Sequence, residues 1–255
     1  MDLLKKLSGR KVFLLSPHPD DIAFSIGGFV TICIPYTIAR LFTYFSQSRW
    51  NGKIGRRIDN YLELSAQRMS EDLLFAGHCN AGYTHFSLAD SSLRFEEDFL
   101  KNTERSLETH VQFEAVMKCV SESISIIMTE SSVDQCSPLV FCPLGLGAHV
   151  DHLLLTKSYH SFCIKNKFNT VYYEDLPHAS TLGLSDIEKH IKSLLGDAYT
   201  PFLFYLNDDT WAEKLCVIDY YKTQLEEDTI HKIESHSLRL GQNKQKVERL
   251  WVPKL

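Results

Sequence analysis

No cysteine pair in this sequence has the C-x-x-C spacing: the seven cysteines, at 33, 79, 119, 136, 142, 163 and 216, are scattered. An odd number of thiols in mostly apolar surroundings argues against a disulfide framework and leads to the expectation of a reduced, cytoplasmic protein. Long apolar runs are missing too. None approaches the roughly 20 residues that span a bilayer, and the N-terminal apolar stretch of about five residues is too short for a signal-peptide core. Nor is there an excess of positive charge. With 27 Lys and Arg against 32 Asp and Glu, the formal charge is -5, which points away from nucleic acid as a partner. The chain has no G-x-S-x-G elbow for a serine nucleophile and no P-loop. Gly27-Gly28 lacks the rest of a dinucleotide fingerprint, and no cysteine has a histidine at a spacing that suggests a thiol nucleophile. Internal repeats, low-complexity tracts and linkers are likewise missing.

What is present is an ordinary globular composition, 44% hydrophobic and 23% charged over 255 residues, enough for one well-filled core. The apolar run 11–16 reads as a buried strand and 21–33 as a helix, with Gly27-Gly28 permitting a close backbone approach. Tyr36–Phe45, rich in β-branched and aromatic residues, reads as a second strand. Residues 46–57 form a polar, basic, glycine-bearing stretch that serves equally as a lid over a site or as a solvated surface loop. Further helices are expected near 58–77, 108–128, 185–194, 209–222 and 226–238, the second on the apolar stripe Phe113, Val116, Met117, Val120, Ile124, Ile127. Strands are expected over 85–90, 137–142, 169–175, 199–206 and 247–252. Strands separated by segments of crossover length predict an α/β fold, a Rossmann-like three-layer sandwich with a mostly parallel sheet.

Two stretches carry chemistry. Pro17-His18-Pro19-Asp20-Asp21 follows the first strand, and His149-Val150-Asp151-His152 follows the strand at 137–142. In a parallel sheet both emerge at the carboxyl edge, where ligands bind in this architecture. His18 and Asp21 are three residues apart, as are His149 and His152. Together they offer three ligands to one divalent metal and leave acid/base groups over, whereas the first motif alone is matched about as well by a helix N-cap. The remaining histidines carry less. His178 lies in a loop near the expected edge, and His231 and His236 sit in a polar helix with no carboxylate at a matching spacing, which reads as surface. Tyr173, Glu174 and Asp175 fit core or surface structure at least as well as a site lining.

On these motifs the chain resembles the PIG-L/LmbE-like N-acetylglucosaminyl deacetylases. Arg68-Met69-Ser70-Glu71-Asp72, Ser87-Leu88-Ala89-Asp90 with Arg94, and Tyr172-Tyr173-Glu174-Asp175-Leu176-Pro177 are similar to further segments of that family, so the match spans about 11–178. The resemblance implies that His18, Asp21 and His152 hold the metal, zinc by expectation, with iron(II) or another divalent ion as alternatives. It implies Asp20 as general base, His149 as oxyanion stabiliser or acid with Asp151 orienting it, and Arg68 and Asp90 as groups that grip the sugar. The implied reaction is hydrolysis of the 2-acetamido group of an amino-sugar glycoside. The alternatives are an amidase acting on a thiol–sugar conjugate or another acylated amino sugar, and a sugar-binding module without catalysis. The membrane-bound branch of the family begins with an apolar anchor that is not seen here, which directs the expectation to its bacterial members. One domain is expected over 1–255, in which 179–255 completes the sheet and shapes the substrate pocket; a homo-oligomer is left open.

Overall fold

The computed structural model describes Leu7 and residues 10–33, 37–94, 112–131, 137–166 and 168–254. The chain runs through β1 (Lys11–Ser16), α1 (Asp21–Cys33), β2 (Ile38–Thr43), β3 (Trp50–Asn51), β4 (Arg56–Arg57), α2 (Tyr61–His78), β5 (Ala81–His85) and the single turn α3 (Ser91–Arg94). It continues with α4 (Phe113–Ser131), β6 (Leu139–Pro143), α5 (Val150–Asn166), β7 (Asn169–Tyr173), α6 (Leu184–Leu195), β8 (Tyr199–Leu206), α7 (Asp208–Ile218), α8 (Thr229–Leu240) and β9 (Lys246–Pro253). Seven strands form one sheet in the order β5-β2-β1-β6-β7-β9-β8. The first five are mutually parallel, and β9 pairs antiparallel with both β7 and β8. This is the expected mostly parallel α/β architecture.

The strand order reverses between β1 and β6: the chain moves outward to β2 and β5 on one side and to β7 on the other. Helices connecting strands in opposite directions leave a crevice at that point, on the carboxyl edge. Central strands are buried on both faces and therefore read as unbroken apolar runs. Val12 to Leu15 and Leu139 to Cys142 are all nearly solvent-free.

Helix α1 is broken at Ile26 (φ -132°, ψ 26°), and the break is filled from the far end of the chain. Glu248 accepts from Gly28 N at 2.9 Å and Phe29 N at 2.7 Å, satisfying amides that the break leaves free. Lys214 answers that buried carboxylate at 2.6 Å and donates to Ser25 O at 3.2 Å. A Cβ on Gly28 would lie 2.7 Å from Leu206 Cδ2 and 3.3 Å from Glu248 Oε1, so any side chain there would have to displace Leu206. The close approach expected of the glycine pair is thus made by Gly28, against β8.

Several boundaries moved. The strand expected at 85–90 ends at His85 and begins at Ala81, since the polar residues after it turn into α3. The apolar stripe does form a helix, Phe113–Ser131, with Val116, Val120, Ile124 and Ile127 buried. Its expected start at 108–111 and residue 36 of the second strand lie outside the described residues. The 46–57 stretch is exposed at residues 53–56, as a surface loop would be, and carries a small hairpin. Trp50-Asn51 pairs with Arg56-Arg57 around a 3-10 turn at Gly52–Ile54, and the turn docks on the backbone of 223–224. Among the described residues no helix is long and apolar enough to cross a membrane.

Candidate metal centre

Both motifs open onto the crevice between β1 and β6. The turn after β1 is shaped by its own residues: Ser16 Oγ donates to His18 O at 2.5 Å, and His18 N donates to Asp21 Oδ2 at 2.7 Å. Asp21 thereby also begins α1, where a carboxylate suits the helix dipole. After β6, Gly145 and Gly147 adopt positive φ (73° and 80°), which lets the chain reverse within four residues and present His149 just ahead of α5.

Three donor residues then meet, Asp21 with both of its carboxylate oxygens. His18 Nδ1 lies 3.2 Å from His152 Nε2 and 3.3 Å from Asp21 Oδ2, while Asp21 Oδ1 is 3.4 Å from His152 Nε2. Ligands about 2.1 Å from a tetrahedral ion are separated by about 3.4 Å, so these separations fit one small cation. The opposite nitrogen of each imidazole is tied to a carboxylate. His18 Nε2 lies 3.0 Å from Asp151 Oδ2, and His152 Nδ1 lies 2.6 Å from Asp175 Oδ1. Each ring therefore presents its other nitrogen with a free lone pair, the arrangement that outer carboxylates impose on metal-ligating histidines. Overlapping sets, His18 with His149 and His152, and His18 with Asp20 and Asp21, also bring donor atoms within 4.8 Å of one another.

The electrostatics agree with that fit. Burial would raise the Asp21 carboxyl, but His152 and His18 outweigh it and hold it well below the usual range. Asp151 is held down in the same way, by Arg94 and then His18. Burial disfavours a charged His18, yet Asp151 and Asp21 raise it to about 10, and Asp21 and Asp175 raise His152. The cluster of carboxylates demands positive charge between them, and protons on the imidazoles answer that demand where a divalent ion would replace them. Asp20 behaves oppositely: burial and the adjacent Asp21 push it up to about 7, against the pull of Arg68 and His18.

His149 is placed beside the three donors with a defined tautomer. Its Nδ1 accepts from Asp151 N at 3.3 Å, so the neutral ring carries its proton on Nε2, which lies 3.3 Å from Ser91 Oγ. Burial, reinforced by His18, His152 and His178 against the pull of Asp151, keeps His149 far below the ordinary histidine range. Asp151 thus meets His149 through its main chain. The Asp151 carboxylate does not hold His149; it accepts from Ser91 N at 2.9 Å, pairs with Arg94 and holds His18. The resemblance implied a link between the two; α5 begins between them, and the hydrogen bond that Asp151 gives His149 comes from its backbone N–H.

Arg68 and Asp90 line the same cleft, of about 280 Å³, with His18, Asp20, Asp21 and His149. Asp90 caps α3, accepting from Ser92 N at 2.9 Å and Ser92 Oγ at 2.6 Å, and its other oxygen faces Arg68 at 3.6 Å. Further residues join the site, among them Asp175 and His178, which the sequence places near its edge without deciding their part. Asp175 is part of the site's support. His178 lines the cleft, with its ring centroid 5.1 Å from that of His152, and burial and then His152 hold it down to about 3. Trp50 and Gln224 line it from segments that carried no motif. His236, expected at the surface, is buried against Glu174 at 2.7 Å; its carboxylate partner lies 62 residues away, beyond the reach of any helical spacing.

No family model matches the chain. Its sequence is 26% identical over 238 residues to a 2'-N-acetylparomamine deacetylase of Streptomyces fradiae, covering 93% of this chain and 81% of that protein. Its fold is similar to the zinc-inhibited form of teicoplanin deacetylase, with a TM-score of 0.68 at 16% identity, covering 94% of this chain and 97% of that one. It is also similar to N,N'-diacetylchitobiose deacetylase from Pyrococcus horikoshii, with a TM-score of 0.57 at 14% identity, covering 99% and 89%. At such identities the structural likenesses establish the architecture alone.

Proposed function

We propose that this chain, a member of the PIG-L/LmbE-like N-acetylglucosaminyl deacetylases, hydrolyses the N-acetyl group of a 2-acetamido sugar to the free amine and acetate. The observation that carries the reading is the meeting of His18 Nδ1, Asp21 and His152 Nε2 at 3.2–3.4 Å, with a carboxylate locking each imidazole from behind. Two nitrogens and an oxygen suit zinc, with iron(II) or another divalent ion as alternatives. A divalent ion at such a site supplies an activated water and polarises the amide carbonyl.

The chain's own residues do the rest. Asp20 lines the cleft beside the donor set and takes the proton from the attacking water. His149, neutral and protonated at Nε2, donates to the amide oxygen as negative charge builds there. Asp20 then returns the proton to the departing amine as the carbon–nitrogen bond breaks. Asp151 and Asp175 are positioning residues acting through His18 and His152. Arg68 and Asp90 grip the sugar on the cleft wall. Among the described residues no disulfide is formed, which supports a reducing, cytoplasmic setting.

The test pairs metal analysis of the purified protein with amine release from N-acetylglucosaminides and from longer-acyl analogues. The expected result is about one divalent ion per chain and turnover abolished by chelation. Asp20→Asn should lower kcat by about 10²- to 10⁴-fold with metal retained. Metal-loaded protein that turns over no acylated amino sugar would leave only the binding-module alternative.

A further inference from the structure

The segment between α7 and α8 enters the cleft, and the reaction outlined above does not use it. Its backbone is held from two sides. Glu71 on α2 accepts from Thr223 N at 2.8 Å and from Thr223 Oγ1 at 2.7 Å, while Thr223 O accepts from Gly52 N at 2.9 Å. The contact with the turn after β3 is so close that a Cβ on Gly52 would lie 2.5 Å from Gln224 O. Gln224, only 5% exposed, lines the cleft, with Nε2 directed at Glu71 Oε2, 3.5 Å away. That neighbour fixes the amide orientation, because the flipped form would set oxygen against carboxylate.

Gln224 Oε1 is buried and has no hydrogen-bond partner among the described residues. Native interiors rarely tolerate such an atom, since its lost hydration goes unrecovered. Here the residue belongs to the wall of a ligand-sized cleft, where a partner can arrive with the ligand. A second unpaired atom sits on another residue of that wall: Arg68 Nε, on a residue 6% exposed and one helical turn before Glu71. One is an acceptor and the other a donor. A hydroxyl-bearing group answers both, whereas an ammonium answers only the first.

We propose that Gln224 is a specificity-determining residue that accepts a hydrogen bond through Oε1 from a hydroxyl of the amino-sugar substrate. This rests on the deacetylase reading and assigns it a residue in the part of the chain after 178. Glu71 acts as the positioning residue that holds the amide in place.

The experiment measures kcat/KM of the metal-loaded enzyme and of Gln224→Met on an N-acetylglucosaminide and on its 3-, 4- and 6-deoxy analogues. Gln224→Met keeps the bulk and removes the carbonyl. It should lower kcat/KM on the parent by about 10- to 100-fold, chiefly through KM. One deoxy analogue should be equally poor with the unaltered enzyme and no poorer with Gln224→Met, so that the two losses do not multiply. Metal content and Tm confirm folding, and Gln224→Asn, which keeps the amide but withdraws the carbonyl, serves if Gln224→Met does not fold. A Gln224→Met enzyme within twofold of the original, or losses that multiply on every analogue, would overturn the proposal. If nothing is turned over, the deacetylase reading fails first. The same cycle is then run by calorimetry with glucosamine and its deoxy forms, and equal binding to both proteins, or none, overturns the role of Gln224.

Discussion

Glu174 and Asp175 are neighbours at the end of β7, both buried, both bound to a histidine, and they do different things. Asp175 faces the crevice. It accepts from Leu144 N at 3.1 Å and Leu146 N at 2.9 Å and lies 2.6 Å from His152 Nδ1, so one carboxylate shapes the loop after β6 and aims a proposed metal ligand. Glu174 faces the C-terminal elements. It accepts from Arg249 Nε at 2.5 Å and Trp251 Nε1 at 3.0 Å and pairs with His236 at 2.7 Å, tying β9 and α8 to the parallel core. Successive residues of an extended chain project to opposite sides, and that alternation is all that separates the two roles. A buried carboxylate with a histidine is therefore not by itself a site; what decides is whether the far nitrogen of the ring meets other donors in a cleft. His152 Nε2 does. His236 Nδ1 instead lies 2.6 Å from an Arg239 guanidinium nitrogen.

Removal of each acid in turn breaks the pair apart, and the largest effect is expected for Glu174→Ala. It strands Arg249 and His236 in the interior, a loss of about 3–5 kcal/mol and hence roughly 10 °C or more in Tm, read by calorimetry. The metal content of the protein that remains folded should be unchanged; loss of metal would erase the distinction drawn above. Asp175→Asn should act the other way round, weakening metal binding by about 10- to 100-fold in a competition titration, with a smaller fall in the Tm of metal-free protein.

The pH dependence of metal-free protein sharpens the contrast. His178 has its pKa depressed to about 3 in the fold and titrates near 6.5 when unfolded. The unfolded chain binds the extra proton first, so this contribution is present above 6.5 and is lost as pH falls from there toward 3. His18 runs opposite: raised to about 10, it stabilises fully below 6.5 and ceases to do so as pH rises through 10. Denaturant midpoints across pH should show both flanks, and His178→Gln should flatten the acid one. The smallest effect is expected for Lys189→Ala. Its pair with Asp186, 3.2 Å apart, leaves both side chains more than 60% exposed, so stability should change by less than about 0.5 kcal/mol.

The sequence made the chemistry of the crevice legible because that chemistry is local. His18 with Asp21 and His149 with His152 each sit within one turn, right after apolar runs that read as strands, and the parallel sheet brings both runs to one edge. Asp151 was legible as a member and only partly in its role: the resemblance pointed to His149, which it meets through its backbone N–H, while its carboxylate lies against His18, whose position is set by β1. Glu71 and Asp72 were visible as an acidic step on a helix. Their partners, Thr223 for one and Thr43, His85 and Tyr221 for the other, lie on three other segments.

Composition and periodicity by themselves determined the α/β class, the parallel core and the two histidine motifs, because strand burial and turn chemistry are written in neighbouring residues. Only the tertiary structure decided which neighbours serve those motifs. Glu248 fills the break in α1 from 220 residues away, Gln224 enters the cleft on a loop that carries no motif, and Glu174 and Asp175 part to opposite faces. A buried polar atom must find its partner wherever the folded chain supplies one, and that requirement of satisfaction across the fold leaves no period in the sequence.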